Sequence, residues 1–221
     1  MTKRKQQRFN ENDTFPNVIQ PKIIYPPVDH PMKGIWNDKF FKNNHPLILE
    51  LGCGRGEYTV NLATMFPQNN YVGIDFKGAR LWRGAKTALE NKLHHVAFLR
   101  IQIQRIENYF DAGEVGEIWL TFPDPQPQKS RERKRLTSPR FLSMYKNILK
   151  KNGVIHLKTD DQGLYEYTVD VIKANNFSTQ AYTNDLYNSD LCDETLSIKT
   201  TYEKIFMKQG ATICYLKFAL G

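Results

Sequence analysis

The sequence predicts a doubly wound α/β domain on a mostly parallel, seven-stranded sheet. Short apolar runs alternate along the chain with longer segments whose apolar residues recur at helical spacing. The 221 residues are 40% hydrophobic and 24% charged, so a buried core can form. One apolar run, Leu47–Leu51, leads directly into a glycine-rich turn. Sheets of this class bind ligands beyond the carboxyl ends of their strands.

Each element is predicted from its own pattern, and the elements follow one another as strand and helix. Runs rich in β-branched, aromatic and aliphatic residues predict strands at 47–51, 71–75, 96–102, 117–122, 154–159, 177–186 and 213–219. Apolar residues three and four positions apart predict helices at 57–66, 79–93, 139–150, 164–175 and 201–208. Five helices on seven strands are sufficient to cover both faces of a parallel sheet.

The domain organisation is predicted as a basic, partly disordered N-terminal segment, residues 1–45, followed by one domain, residues 46–221. Residues 1–20 are polar and lack sustained periodicity, which is typical of a mobile tail. No apolar run approaches the length of a membrane span. The three cysteines form no CxxC pair, so we expect a cytoplasmic chain without disulfides or a metal site.

The net charge of +8 is concentrated in two segments. Residues 1–45 contain eight basic and four acidic side chains, and residues 124–140 contain six and two. The remaining residues contain equal numbers of basic and acidic side chains. Two basic segments on a neutral body indicate a polyanionic partner that is contacted in two places.

The residues after the first strand indicate a cofactor site. Gly52, Gly54 and Gly56 have GxGxG spacing, which differs from the GxGxxG of dinucleotide sites. Glu50 precedes them, and a carboxylate there favours a cationic ligand over a pyrophosphate. Asp75 ends the second predicted strand, where it can hold ribose hydroxyls. Gln102 ends the third and offers a further acceptor oxygen at the same edge of the sheet.

The fourth predicted strand ends in Pro123-Asp124-Pro125, and a basic arm follows. Two prolines restrict the backbone around Asp124, so its carboxylate has few directions to point. We expect Asp124 to be the residue closest to the chemistry. The arm contains the cations of Lys129–Arg135, and we interpret it as one of the two contacts for the polyanionic partner.

Five motifs in this order, GCGRGEY, GID, FPDPQPQKSRERKRL, HLKTDDQGLYEY and TTYEKIF, resemble the bacterial tRNA (guanine-N7-)-methyltransferases, the TrmB family. The resemblance covers roughly residues 46–206. It implies a Rossmann-like class I methyltransferase fold, S-adenosylmethionine (SAM) as cofactor, tRNA as partner, and methylation of the guanine at tRNA position 46. This chain differs from the family at four positions. It has Asp75 where the family usually has Glu, and Gln102 where the family usually has Asp. It has Gln126 where the family usually has Trp, and Gln128 where the family usually has Lys.

The resemblance also implies roles for individual residues. It assigns SAM contacts to Glu50, Asp75, Gln102 and Asp124, in addition to the glycine turn. It assigns RNA contacts to Ser130, Arg131, Glu132, Arg133, Lys134 and Arg135, and further substrate contacts to Gln128, Asp160, Thr200, Thr201, Tyr202 and Glu203. Lys129 can replace the cation that Gln128 lacks.

Guanine N7 has an in-plane lone pair and no proton, so its alkylation needs positioning and electrostatics and no general base. Two alternatives stay open. One is a dinucleotide-dependent oxidoreductase, which GxGxG and Glu50 disfavour. The other is a non-catalytic RNA-binding module, which the retained Glu50, Asp75 and Asp124 disfavour. The sequence is compatible with a monomer and with a homodimer.

Overall fold

A computed structural model describes residues 3–221, which form one eight-stranded sheet in the order β1-β4-β3-β2-β5-β6-β8-β7. The first six strands in this order are parallel, and β8 and β7 at the far edge are antiparallel to their neighbours. The strands are β1 (Val18–Ile19), β2 (Leu47–Leu51), β3 (Asn70–Ile74), β4 (Val96–Leu99), β5 (Val115–Thr121), β6 (Leu149–Thr159), β7 (Ser178–Thr183) and β8 (Cys214–Ala219). The predicted class of fold is confirmed.

Six α-helices accompany these strands: α1 (Lys3–Glu11), α2 (Glu57–Met65), α3 (Gly78–Glu90), α4 (Pro139–Ile148), α5 (Gln162–Ala174) and α6 (Thr201–Lys208). The apolar sides of α4 and α5 belong to one buried cluster, and those of α2 and α3 belong to a second. Two clusters covering the two faces of a sheet are what double winding requires. Within residues 3–221, no helix is long and apolar enough to span a membrane.

The central strands are buried on both sides, as their composition predicts. Every residue of β2 and of β3 is buried, because helices cover both faces of a parallel sheet. Register is continuous, with Leu47 opposite Asn70 and Leu51 opposite Ile74. The carboxyl ends of β2 and β3 therefore lie side by side.

The N-terminal segment corrects two expectations. Residues 3–11 form helix α1, although the sequence indicated a tail without regular structure, and β1 raises the strand count from seven to eight. The helix is held by partners distant in sequence. The Arg8 guanidinium lies 4.6 Å from the centre of the Trp82 ring, and Asn12 Nδ2 donates to the Gly78 carbonyl at 2.8 Å. Residues 1 and 2 of the predicted tail lie outside the described residues.

Candidate active site

The glycine turn joins β2 to α2 at the carboxyl end of the sheet. Gly52, Gly54 and Gly56 all have positive φ, at 77°, 55° and 66°. A Cβ atom at Gly56 would lie 2.4 Å from the Phe98 ring, so this position excludes every larger residue. The amides of Gly52 and Cys53 both donate to the Ile74 carbonyl, at 2.8 and 3.0 Å. The turn is thereby fixed against the end of β3.

Asp75 follows β3 and is bonded to this turn. Its Oδ2 accepts from the Gly54 amide at 3.0 Å, and its Oδ1 accepts from the Lys77 amide at 2.7 Å. Each carboxylate oxygen can accept a further hydrogen bond, and the side chain is half-buried on the wall of a cleft. This is a fixed acceptor at the position predicted to hold ribose hydroxyls.

Glu50 lies beneath the turn, in the interior. It is 3% exposed. Its Oε2 accepts from the Thr59 amide at 2.9 Å and also from the Thr59 hydroxyl, and its Oε1 accepts from the Thr121 hydroxyl at 2.5 Å. Burial raises the pKa of Glu50 to about 7, and the bonds from Thr121 and Thr59 offset part of that rise. Glu50 therefore supports the cofactor end from below, and it is not among the side chains that line the cleft.

Asp124 lies after β5, in a loop with two strained backbone positions. Phe122 and Gln126, on either side of it, have positive φ values of 51° and 45°, which are unfavourable for residues other than glycine. Asp124 itself is exposed, and its Oδ1 accepts from the Gln126 amide at 3.1 Å. Strain in such a loop is retained where the structure needs one particular direction for a side chain.

A cleft of about 620 Å³ opens between these loops. Six of the predicted site residues line it: Gly52, Asp75, Asp124, Lys134, Asp160 and Tyr202. Burial raises the pKa of Asp160. Six further residues that the sequence analysis did not select also line it: Lys77, Arg80, Phe122, Leu136, Asp161 and Phe206. The sequence could have indicated Lys77 and Arg80 as residues of the cleft, since both follow Asp75 at the start of the next helix.

Other predicted residues lie outside the cleft. Gln102 is exposed before a short 3-10 helix, and Gln128 is exposed before the arm. Within the arm, Lys129–Lys134 form a 3-10 helix with no buried residue. This exposure is compatible with the predicted RNA contact for Lys129, Ser130, Arg131, Glu132, Arg133 and Lys134.

Arg135 differs from its neighbours, because its side chain already has protein partners. Its Nε donates to the carbonyls of Pro125 and Gln126, at 3.2 and 3.3 Å. Its guanidinium lies 4.2 Å from the centre of the Tyr167 ring. Arg135 therefore braces the loop that carries Asp124, and the phosphate contact predicted for it competes with these bonds.

The Thr200–Glu203 motif is mostly occupied with structural contacts. Thr200 and Glu203 form a capping box at the start of α6, and the Thr201 amide donates to Glu57 Oε2 at 2.7 Å. Glu203 is fully buried and forms an ion pair with Lys158 at 2.9 Å. Only Tyr202 lines the cleft. The side chains of Thr200, Thr201 and Glu203 have partners within the domain that hold α6 in place, and the substrate contacts implied for them stay predictions.

The side chains present fit a cofactor that carries a positive sulfonium. Four carboxylates line the cleft with the apolar rings of Phe122 and Phe206, and they outnumber its three cations, Lys77, Arg80 and Lys134. Asp75 adds an acceptor for hydroxyls. Among residues 3–221 there is no group of three or more His, Cys, Asp or Glu side chains that could bind a metal ion.

Comparison of the fold gives the same class. A 16S rRNA methyltransferase, KamB, superimposes with a TM-score of 0.63 at 14% identity, over 86% of this chain and 97% of its own. A geranyl diphosphate methyltransferase, solved in complex with SAM, gives a TM-score of 0.53 at 13% identity, over 80% and 79%. At these identities the similarity concerns the fold alone.

Comparison of the sequence is more specific. Residues 44–216 match the protein family described as "Putative methyltransferase". The tRNA (guanine-N(7)-)-methyltransferase of Bacteroides thetaiotaomicron is 48% identical over 221 residues, covering 100% of this chain and 87% of the relative. The enzyme of the same name from Christiangramia forsetii is 47% identical, covering 99% of each. Together with the glycine turn, Asp75 and the strained Asp124 loop, these matches show that the chain belongs to the tRNA (guanine-N7-)-methyltransferase family.

Proposed function

We propose that this protein methylates N7 of the guanine at position 46 of tRNA. The coarser activity, SAM-dependent methylation of a tRNA guanine at N7, is that of the family to which the chain belongs. Position 46 is the finer part of the proposal, and the resemblance of the motifs supports it. The observation that carries the proposal is a single cleft lined by Asp75 at its cofactor end, by Asp124 on its strained loop and by Lys134 of the basic arm.

The cofactor, when bound, supplies an electrophilic methyl group. The residues of this chain have the remaining tasks. We assign Asp75, beside the glycine turn, to the ribose hydroxyls, and Glu50 to the support of that turn from below. Phe122 and Phe206 belong to the apolar part of the cleft lining, from which a bound ligand would displace water. Exclusion of water strengthens every electrostatic interaction inside it.

We assign Asp124 to the orientation of the base. A guanine presents N1–H and the N2 amino group as donors, and a fixed carboxylate can accept from both. The base becomes positively charged as N7 is alkylated, and the carboxylates of Asp124 and Asp160 favour that charge. No proton leaves N7 in this reaction, so the site needs no general base. Catalysis is then a matter of position and charge.

The remaining assignments concern the chain as a whole. We propose residues 46–221 as the catalytic domain and residues 1–45 as a basic segment that contributes to RNA binding. We also propose a cytoplasmic location. Lys129, Arg131, Arg133 and Lys134 are proposed to contact tRNA phosphates, because all four are exposed in a helix without buried residues next to the cleft.

Transfer of radiolabelled methyl from SAM to an unmodified tRNA transcript tests the proposal. Nucleoside analysis should show 7-methylguanosine, and a transcript with adenine at position 46 should accept no label. Label at another guanine in that transcript would contradict the position while leaving the activity intact. Calorimetric titration with SAM and with NAD separates the methyltransferase from the dinucleotide-dependent alternative, and only SAM should bind.

A further inference from the structure

A second groove lies at the amino end of the sheet, away from the catalytic cleft. It has a volume of about 460 Å³ and is formed where α3 ends and where the chain enters β2 and β4. Its floor is apolar, with Phe40, Phe41, Leu89 and Leu93. Its rim carries the exposed cations Lys39, Lys42 and Lys92. We call it the lysine groove.

Charge in the lysine groove is of one sign. None of its lining residues is acidic. In the part of the chain from residue 3 onward, no ion pair involves Lys39, Lys42 or Lys92. An apolar floor beneath unpaired cations is complementary to a ligand that combines phosphates with flat apolar rings.

Two of these lysines occupy unfavourable backbone positions. Lys42 and Lys92 have φ values of 58° and 55°, in the left-handed region. Each follows a helical segment, a place where glycine or asparagine is usual because a Cβ atom is strained there. A cation near a helix end interacts favourably with the helix dipole, but a residue one turn earlier would do the same without strain. Lysine at both strained positions in one groove indicates a use for the side chains.

Helix α3 runs between the cleft and the lysine groove. Arg80, Arg83 and Lys86 lie on this helix, and Lys77 and Lys92 flank its two ends; with 3.6 residues per turn, their side chains wind around the helix. Lys77 and Arg80 line the cleft, whereas Leu89 and Lys92 line the groove. The pairs Arg83–Glu90, which is exposed, and Lys86–Glu11, which is half-buried, are long, at 3.9 and 3.8 Å. From Lys77 to Lys92 the axial rise is roughly 22 Å at 1.5 Å per residue.

We infer that the lysine groove is a second contact site for the tRNA, which binds phosphates on its rim and an unstacked base on its floor. This inference rests on the proposed function, since it takes tRNA as the partner. The axial rise from Lys77 to Lys92 is shorter than one turn of a nucleic-acid duplex, about 34 Å in DNA, so one RNA can reach both sites. Single-stranded RNA is recognised by stacking on aromatic side chains and by phosphate contacts; the half-buried Phe40 can supply the first, and the exposed lysines can supply the second.

The test replaces lysine by the residue that the backbone prefers. The double variant Lys42→Gly/Lys92→Gly should bind tRNA roughly tenfold more weakly, and the slope of log K against log salt should become shallower by about 1.5. Its melting temperature should stay the same or rise, because glycine removes the strain. A loss of binding without a loss of stability separates an RNA contact from a folding defect.

The kinetic result distinguishes the groove from the cleft. KM for tRNA should rise roughly tenfold while kcat and the affinity for SAM stay unchanged, because the groove is remote from the reacting atoms. The matched control is Lys146→Gln/Lys173→Gln, which removes two exposed cations from α4 and α5. Its affinity for tRNA should equal that of the wild type.

Two outcomes would overturn the inference. One is an unchanged affinity and salt slope in the glycine variant, which would assign the groove to an acidic protein or to no ligand. The other is an equal loss in the control, which would show a general effect of charge. Both outcomes are compared with a wild-type protein that forms 7-methylguanosine. A result that contradicts RNA binding by the groove is therefore distinct from one that contradicts the proposed function.

Discussion

Lys158 Nζ lies 2.9 Å from Glu203 Oε1, and both side chains are completely buried. The ammonium also donates to the carbonyls of Leu196 and Ile198, at 2.7 and 2.8 Å, and the Tyr187 hydroxyl donates to Glu203. Burial lowers the pKa of Lys158, and the carboxylate of Glu203 opposes that shift. The pair joins β6 to α6, and α6 carries Tyr202 into the cleft.

We expect Lys158→Met to destabilise the protein strongly, by about 3–5 kcal/mol, because it leaves the Glu203 carboxylate buried without its cation. The double variant Lys158→Met/Glu203→Gln should recover part of the loss, since no charge is then left unpaired. Urea denaturation of the wild type, both single variants and the double variant measures the coupling. Additive single effects would contradict a direct interaction between the two groups.

The elements of this structure that have local sequence patterns could be predicted from the sequence. Strand β2 and helix α6 have the predicted bounds, Leu47–Leu51 and Thr201–Lys208, because an apolar run and apolar residues at helical spacing are local signals. The strand ends also placed Asp75 and Asp124 correctly at one cleft, because the carboxyl ends of parallel strands meet.

The errors concern partners that are distant in the sequence. Helix α1 is highly polar, and its place depends on Trp82 and Gly78, which no local pattern reveals. The same holds for Glu203, whose motif resembles a substrate contact until Lys158 is known to lie beside it. Tertiary contacts of this kind decide whether a polar residue in a motif faces a ligand or the core.

Glu50 gives a prediction about pH. Its pKa is raised to about 7 in the folded protein from a usual value of 4.5, so the unfolded chain loses this proton at lower pH than the folded one. Between pH 4.5 and 7 the unfolded state therefore binds fewer protons, and the contribution of Glu50 to stability falls as pH rises, by about 3 kcal/mol in total. Above pH 7 the contribution is flat.

The variant Glu50→Gln removes this titration, so its free energy of unfolding, relative to the wild type, should rise with pH over the same window. Chemical denaturation at half-unit steps from pH 4.5 to 8 measures the difference. A constant difference between wild type and variant would show that the pKa of Glu50 is the same in the folded and the unfolded chain. The control is Glu107→Gln, outside the cleft lining.

Asp75 should matter for the cofactor. Asp75→Ala removes an acceptor for ribose hydroxyls, and hydrogen bonds to a charged group contribute about 1.5–3 kcal/mol each. SAM affinity should fall by at least tenfold in calorimetry, while tRNA affinity changes little. The variant also frees the Gly54 amide, so Asp75→Asn, which keeps one acceptor oxygen, should retain more affinity than Asp75→Ala. Unchanged SAM binding in both variants would exclude Asp75 from the cofactor site.

The arginines of the basic arm should have two different roles. Arg131→Ala/Arg133→Ala should weaken tRNA binding and make its salt slope shallower by about 1.5, since both side chains are exposed. Arg135→Ala should instead lower stability, because it removes the bonds to the Pro125 and Gln126 carbonyls and the contact with Tyr167. Thermal melting and salt-dependent binding of the variants separate the two effects. An equal change of salt slope per arginine would contradict the division.

Asp124 could position the base or act as a general base, and these two roles predict different effects of substitution at this residue. N7 has no proton to lose, so we expect Asp124 to act as an acceptor of hydrogen bonds from the base. Asp124→Asn keeps one acceptor oxygen and turns the other position into a donor, whereas Asp124→Ala removes both. Methyl transfer should fall in steps, with Asn retaining measurable activity and Ala retaining less.

Single-turnover rates across pH distinguish the two roles. If Asp124 positions the base, neither variant recovers when the pH is raised, because no hydroxide can replace an orienting contact. A general base makes the rate follow its own titration and leaves almost no activity in Asp124→Asn. The hydrogen bond from the Gln126 amide to Asp124 Oδ1 favours the first account, since it orients the carboxylate within the loop. A wild-type rate that rises through an acidic transition, together with loss of that transition in Asp124→Asn, would require the positioning account to be abandoned.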